Sequence, residues 1–116
     1  MYLKTFKLGL GARLPSLQTT LKRNSVAQSM SGNTVYMSVR ETGTTATLFT
    51  KSIDENNSSE GTITNATGGV ARFDWVTTDF TSTGYYEAQF NYRNAAGKYE
   101  YCDDIQPIEI YPVFST

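Results

Sequence analysis

The chemistry open to this sequence is limited first by the residues that it lacks. Its 116 residues include no histidine, which removes the commonest general acid–base group at neutral pH and the commonest metal ligand. Cys102 is the only cysteine, so neither an intrachain disulfide nor a thiolate-rich metal site can form. Histidine-dependent nucleophilic catalysis is excluded, and we expect Cys102 to be a small buried hydrophobic residue.

The acidic residues form two short clusters whose carboxylates are of the type that binds calcium or cleaves glycosidic bonds. Asp54, Glu55 and Glu60 lie in one polar segment, and Asp103 and Asp104 are adjacent further on. The Asp-x-Asp-x-Asp-Gly spacing of a calcium loop is absent, and nothing fixes two carboxylates at the separation that glycoside hydrolysis requires. We interpret both clusters as solvated loop charges and expect no metal, no cofactor and no enzyme activity.

Tyrosine is the other residue type with chemical potential, because an exposed aromatic ring can stack on a sugar ring. The sequence has eight tyrosines and six phenylalanines. Strand alternation leaves Tyr36, Tyr85, Tyr99 and Tyr101 as the candidates for exposed rings. The competing interpretation is that these rings form cross-strand pairs that stabilise a sheet. A carbohydrate-binding or adhesive surface module therefore stays open as an alternative function.

Charge and length narrow the remaining classes of function and the number of domains. Ten basic and eleven acidic residues give a formal net charge of −1, which offers no electrostatic footprint for nucleic acid or an anionic membrane. No apolar run approaches the roughly 20 residues of a membrane span, and the lack of disulfides favours intracellular assembly over secretion. We expect residues 1–116 to form one domain, with 1–12 as either an edge strand or an N-terminal arm and 111–116 as a C-terminal tail.

Alternation of apolar and polar residues predicts strands through most of the chain. No segment of about ten residues has helical periodicity. Three segments alternate most clearly, and each places one set of apolar side chains on a single face, which we expect to face the core. These sets are Val35, Met37 and Val39; Ala71, Phe73 and Trp75; and Tyr86, Ala88, Phe90 and Tyr92.

Turn signals and prolines give the remaining elements. A Gly-containing turn at 94–98 predicts a hairpin between the strand that carries Tyr86 and a strand that begins at Tyr99. Polar residues predict loops at 24–32 and 54–61, and two prolines predict that 105–114 is an edge strand or a short one. The sequence therefore predicts an all-β sandwich or barrel of about seven to nine strands.

One corner of this fold has a more specific signature. Residues 79–88 (DFTSTGYYEA) fit the Asp…Gly-x-Tyr-x-small pattern that precedes strand F of immunoglobulin-like sandwiches, where a tyrosine hydroxyl bonds to the backbone a few residues upstream. Asp79, Gly84 and Tyr86 are the predicted corner residues, and Ala88 stands where antibody domains have their second cysteine. The pattern predicts an immunoglobulin-like antiparallel β-sandwich without a disulfide.

Four motifs follow one another in an order that resembles a known family. They are residues 14–22 (LPSLQTTLK), 30–37 (MSGNTVYM), 69–73 (GVARF) and 84–98 (GYYEAQFNYRNAAGK). In sequence order they resemble the N-terminal domain of phage baseplate upper proteins, over roughly residues 14–112. The resemblance implies a non-enzymatic virion structural protein, assembled in the host bacterial cytoplasm and present in several copies at the tail or baseplate, the neck or the capsid surface.

Its partners would then be other phage structural proteins, with a host glycan less favoured and with no nucleic acid or membrane. Apolar residues near both ends of the chain are of the type enriched at interface cores. We expect these to contact neighbouring proteins: Tyr2, Phe6, Leu8, Tyr111, Val113 and Phe114.

Overall fold

The computed structural model describes residues 2–56 and 59–113. These residues form ten strands and no helix, so none of them belongs to a helix long and apolar enough to span a membrane. The strands are β1 (Phe6–Gly9), β2 (Leu17–Thr20), β3 (Lys22–Arg23), β4 (Val26–Ala27), β5 (Thr34–Glu41), β6 (Phe49–Ile53), β7 (Gly61–Asn65), β8 (Val70–Phe73), β9 (Gly84–Arg93) and β10 (Tyr99–Tyr111). The prediction of an all-β fold without a disulfide is confirmed.

The strand count exceeds the predicted seven to nine because the polar segment after Lys22 folds as a small hairpin. Asn24 and Ser25 both have positive φ, at 52° and 64°, as in a two-residue turn whose twist matches that of the flanking strands. This turn joins β3 to β4. A loop was predicted here because the segment has almost no apolar alternation.

The larger strands form two sheets. One has the order β1-β10-β9-β5-β6 and the other the order β2-β8-β7. Neighbouring strands are antiparallel except for β1, which pairs in parallel with β10 from Phe6 opposite Ile108 to Gly9 opposite Tyr111. The prediction of a purely antiparallel fold is therefore wrong. A parallel pair needs a long crossover connection, and here all the strands between β1 and β10 form it.

The core lies between the two sheets and contains the three predicted apolar sets, all of whose members are buried. The ring of Phe73 in the three-stranded sheet lies 5.9 Å from that of Phe90 in the five-stranded sheet, centroid to centroid. One continuous hydrophobic cluster contains residues of both sheets. This arrangement is consistent with a β-sandwich.

Strand β10 differs from the prediction in both length and position. It has 13 residues and lies between β1 and β9, not at an edge. Pro107 is tolerated there because the pairing with β1 begins only at Ile108. Beside it, the buried Gln106 amide donates 2.8 Å hydrogen bonds to the carbonyls of Lys4 and Pro107.

The other edge of the five-stranded sheet carries a buried charge. Lys51 of β6 is 4% exposed, and its Nζ lies 2.8 Å from Oδ2 of Asp79. The same carboxylate oxygen accepts the backbone N–H of Val76 at 2.8 Å. The ion pair thereby fastens β6 to the segment between β8 and β9, and an inward-pointing charge also discourages an edge strand from pairing with another chain.

The segment after Asp79 enters β9 through a tight corner. The Tyr86 hydroxyl donates a 2.8 Å hydrogen bond to the carbonyl of Ser82, four residues upstream. The Tyr86 ring packs edge-on against Phe80 at 4.8 Å. Gly84, between Ser82 and Tyr86, has a φ of 142°, a backbone conformation that residues other than glycine rarely adopt.

We expect Tyr86→Phe to lower the free energy of unfolding by about 1 kcal/mol, because a partly buried hydrogen bond is lost while the ring packing is kept. Thermal unfolding measures the change. Tyr85→Phe is the matched control, since the neighbouring tyrosine is 64% exposed and its hydroxyl has no partner in the described part of the chain. An unchanged melting temperature for Tyr86→Phe would contradict the corner hydrogen bond.

We expect Asp79→Asn and Lys51→Met to destabilise the fold by about 3–5 kcal/mol each, because each leaves the other partner buried without its counter-charge. The double variant should lose less than the sum of the two, which denaturant unfolding of all four proteins measures. Glu100→Gln is the control. It breaks the 3.3 Å pair with Arg23, whose side chains are 41% and 37% exposed, and should cost about 1 kcal/mol or less.

Candidate binding face of the five-stranded sheet

The central strands of the larger sheet turn a set of polar and aromatic side chains away from the core. In β9, Asn91 stands opposite Tyr36 of β5 and Tyr101 of β10, and Gln89 stands opposite Ser38 of β5. Side chains that face each other across paired strands project to the same side of a sheet, and Ala88 and Phe90 on either side of Gln89 point into the core. We name this surface, formed by Tyr36, Ser38, Gln89, Asn91 and Tyr101, the outer groove.

The outer groove contains two shallow hollows of about 130 and 140 Å³. Both are lined by Ser38 and Gln89, and one extends to Asn91 and Tyr101. The other hollow is lined on its far side by a charged pair, two threonines and an isoleucine: Arg40, Glu87, Thr45, Thr47 and Ile105. Each hollow is smaller than the ~300–1,000 Å³ of an enclosed small-molecule site, so the face offers an open groove.

An irregularity in β10 shapes one wall of the groove. Tyr101 pairs with Asn91 and Ile105 pairs with Gln89, so residues 102–104 stand opposite the single residue Phe90. A bulge of this kind bends its strand and redirects side chains. Here it turns Cys102 into the core, and the Asp103 carboxylate accepts the backbone N–H of Asn24 in the β3–β4 turn.

The polar side chains of the groove are available for hydrogen bonding. The side-chain amides of Gln89 and Asn91 have no hydrogen-bond partner within residues 2–56 and 59–113, and the Ser38 hydroxyl lies 3.3 Å from that of Thr50. At one end, Arg40 and Glu87 form an ion pair of 3.3 Å in which the carboxylate side chain is only 11% exposed. The groove therefore presents uncharged donors and acceptors beside a neutralised pair.

Three of the four tyrosines predicted to be exposed gather at the other end. Tyr101 is 61% exposed and Tyr99 is 52% exposed, while Tyr36 is half-buried. The rings of Tyr36 and Tyr99 are 6.0 Å apart, and the Arg93 guanidinium lies 5.7 Å from the centroid of Tyr99. Tyr85 is on the same face but six residues along β9 from Asn91, about 20 Å away.

The carboxylates of the loop at 54–61 contact backbone groups of this chain. Glu55 accepts the N–H of Gly32 at 2.7 Å, and Glu60 accepts that of Ser52 at 3.1 Å. Asp54 accepts the N–H of Asn56 at 2.8 Å. Among the described residues, no three Asp, Glu or Cys side chains are grouped as metal ligands would be.

The predicted contact residues near the N-terminus divide into two groups. Tyr2 is 65% exposed and forms an isolated parallel bridge with Ile105. Leu8 is 1% exposed, and Phe6 packs against Trp75 with ring centroids 5.9 Å apart. β1 is an edge strand of the five-stranded sheet, so Leu8 faces the core and is not at the surface for a partner to contact, whereas Phe6 is only partly buried.

Near the C-terminus, Tyr111 and Val113 are 43% and 59% exposed. Both approach Gly9, where an added Cβ would lie 2.7 Å from Val113 Cγ2 and 3.5 Å from the Tyr111 ring. Phe114 lies outside the described residues. We name Tyr111 and Val113, which cover Gly9, the terminal patch.

Comparison of the chain with protein-family models finds no match, and no curated protein matches its sequence.

Burial raises the pKa of the Cys102 thiol from its ordinary 9.0 to about 11, and the neighbouring Asp103 and Asp104 add to the shift. We therefore expect a thiol reagent at pH 8 to label the native chain far more slowly than the urea-unfolded chain. Because the raised pKa favours the protonated form in the folded state, its contribution to stability is complete below about pH 9 and is lost between pH 9 and about 11. Equal labelling rates for the native and unfolded chains would contradict the buried position.

Proposed function

We propose that the chain is a non-enzymatic structural protein of a bacteriophage virion. In this proposal an immunoglobulin-like domain docks in several copies onto the tail or baseplate, the neck or the capsid surface. The strand order of the two sheets carries the proposal, because it supports the disulfide-free immunoglobulin-like topology implied by the resemblance of four sequence motifs to the N-terminal domain of phage baseplate upper proteins.

In variable-type immunoglobulin sandwiches, strands G, F and C share a sheet with C′, and strands B, E and D lie in the other sheet. The order β10-β9-β5-β6 matches G-F-C-C′, and the order β2-β8-β7 matches B-E-D. The hydrogen bond from Tyr86 to Ser82 supports the assignment of β9 as strand F. In antibody domains the conserved disulfide joins strands B and F; here Leu17 of β2 and Ala88 of β9 are buried on the corresponding strands.

The chemistry of the chain supports a docking role over catalysis. It contains no histidine, the hollows of the outer groove are small and open, and the buried ion pair of Lys51 and Asp79 is taken up in fastening an edge strand. An enzyme needs a positioned acid, base or nucleophile beside a pocket. Among the residues that line the two hollows, Glu87 is the acidic one, and its carboxylate is paired with Arg40 at 3.3 Å.

The terminal patch is the surface that we assign to docking. Tyr111 and Val113 are exposed although both are apolar, and large apolar side chains of this kind are enriched in interface cores. Tyr111 is the last residue of β10, which is paired on both sides, and Val113 follows two residues later. A partner would therefore contact a Tyr111 side chain held by a rigid strand, which lowers the ordering cost of binding.

The proposal predicts that the chain sediments with intact particles of the phage that encodes it, at a copy number set by the symmetry of its attachment site. The double change Tyr111→Ser and Val113→Ser should reduce its copy number per particle about tenfold, because two apolar anchors are lost. Quantitative mass spectrometry of gradient-purified particles measures both.

Val26→Ser is the matched control, since Val26 is also exposed, at 61%, but lies on the β3–β4 hairpin. Its copy number should stay at the wild-type value. Recovery of the chain only outside purified particles would overturn the virion role, and normal incorporation of the double variant would overturn the assignment of the terminal patch.

A further inference from the structure

We propose that the outer groove binds a neutral oligosaccharide. In this site Tyr101 stacks on a sugar ring, and Ser38, Gln89 and Asn91 hydrogen-bond to its hydroxyl groups. The site is separate from the terminal patch and goes beyond the proposed virion role. It rests on four observations about the groove: an exposed ring, two amides without a partner among the described residues, a compensated charge and an open shape.

The exposed ring is the first observation. A sugar ring has apolar C–H faces and a polar rim, so its recognition needs an accessible aromatic surface next to hydrogen-bonding groups. Tyr101 is 61% exposed and stands directly opposite Asn91. Its strand is anchored beside it by the bulge that turns Cys102 into the core, so the ring is presented from a fixed backbone.

The amides are the second observation. A carboxamide has two N–H donors and one carbonyl acceptor, which matches a hydroxyl group that donates and accepts at once. Gln89 and Asn91 provide two such groups on alternate positions of one strand, about 7 Å apart. Neither amide bonds to another described residue, so both are free to exchange water for a ligand. The Ser38 hydroxyl is beside them, because Ser38 belongs to β5, which lies between β9 and β6.

The charge of the lining selects against other ligands. Arg40 and Glu87 neutralise each other at 3.3 Å, and the rest of the lining of both hollows is uncharged. Single-stranded nucleic acid binds stacking platforms that lie in a basic groove, whereas Arg93, two residues along β9 from Asn91, lies over the ring of Tyr99. An uncharged lining fits a neutral ligand better than a polyanion.

The shape favours an extended ligand over a folded protein partner. The two hollows share Ser38 and Gln89, so they form one trough across β5, β9 and β10. The core of a protein interface is usually apolar, whereas the centre of this trough is formed by amide and hydroxyl groups. An oligosaccharide can lie in it with one ring on Tyr101 and the next above Gln89.

The test is an array of neutral and acidic oligosaccharides probed with the full chain, followed by NMR titration with the neutral oligosaccharide that gives the strongest signal. We expect the side-chain amide signals of Gln89 and Asn91 to shift on titration. Tyr101→Ala and Asn91→Ala should each raise the Kd about tenfold or more, whereas Tyr101→Phe, which keeps the ring, should retain binding.

Tyr85→Ala is the matched control, because Tyr85 is 64% exposed on the same face but lies outside the groove. Its Kd should equal that of the wild-type chain. A silent array, binding confined to acidic glycans, or binding that Tyr101→Ala leaves unchanged would overturn the proposal. Tyr101→Ala should not alter incorporation into particles. Glycan binding and incorporation therefore distinguish failure of this site from failure of the virion role.

Discussion

The fold depends on the burial of Phe80, which brings together edge strand β6, the segment after β8 and the start of β9. Its ring lies 5.3 Å from Phe49 of edge strand β6, 5.5 Å from Trp75 after β8, and 4.8 Å from Tyr86 of β9. Trp75 in turn donates from Nε1 to the carbonyl of Pro15 at 3.1 Å. Aromatic pairs of this kind add to the free energy of area burial, and here they close one end of the space between the sheets, with the ion pair of Lys51 and Asp79 directly beside them.

Alternation predicted the inward faces of the long strands because each of them has a core on one side and solvent on the other. It did not predict the burial of Phe80 or of Lys51, since Phe80 lies in a loop without periodicity and lysine is rarely buried unless paired. Leu8 was expected to contact a partner. Its burial was missed because β1 pairs only with a segment 102 residues later, which leaves no local signal in the sequence. The internal position of β10 was also missed, because its prolines suggested an edge strand.

The outer groove was predictable only in part. The same alternation that buries Phe90 turns Gln89 and Asn91 outward, and Tyr36, Tyr99 and Tyr101 were expected to be exposed. Their proximity depends on which residues of β5, β9 and β10 stand opposite each other, and a bulge in β10 shifts that register between Tyr101 and Ile105. Register across strands is a property of tertiary pairing, so the sequence indicated the members of the groove without indicating that they meet.

The parallel pairing of β1 with β10 has a mechanical consequence. Tyr2 lies beside Ile105, whereas Gly9 lies beside Tyr111, so the chain enters and leaves this edge at opposite ends. Tension between residues 2 and 113 therefore pulls the two strands past each other along their length. The hydrogen bonds between β1 and β10 then share the load in shear instead of opening one after another. A domain strung between two attachment points in this way resists extension through its first and last strands before its core is disturbed.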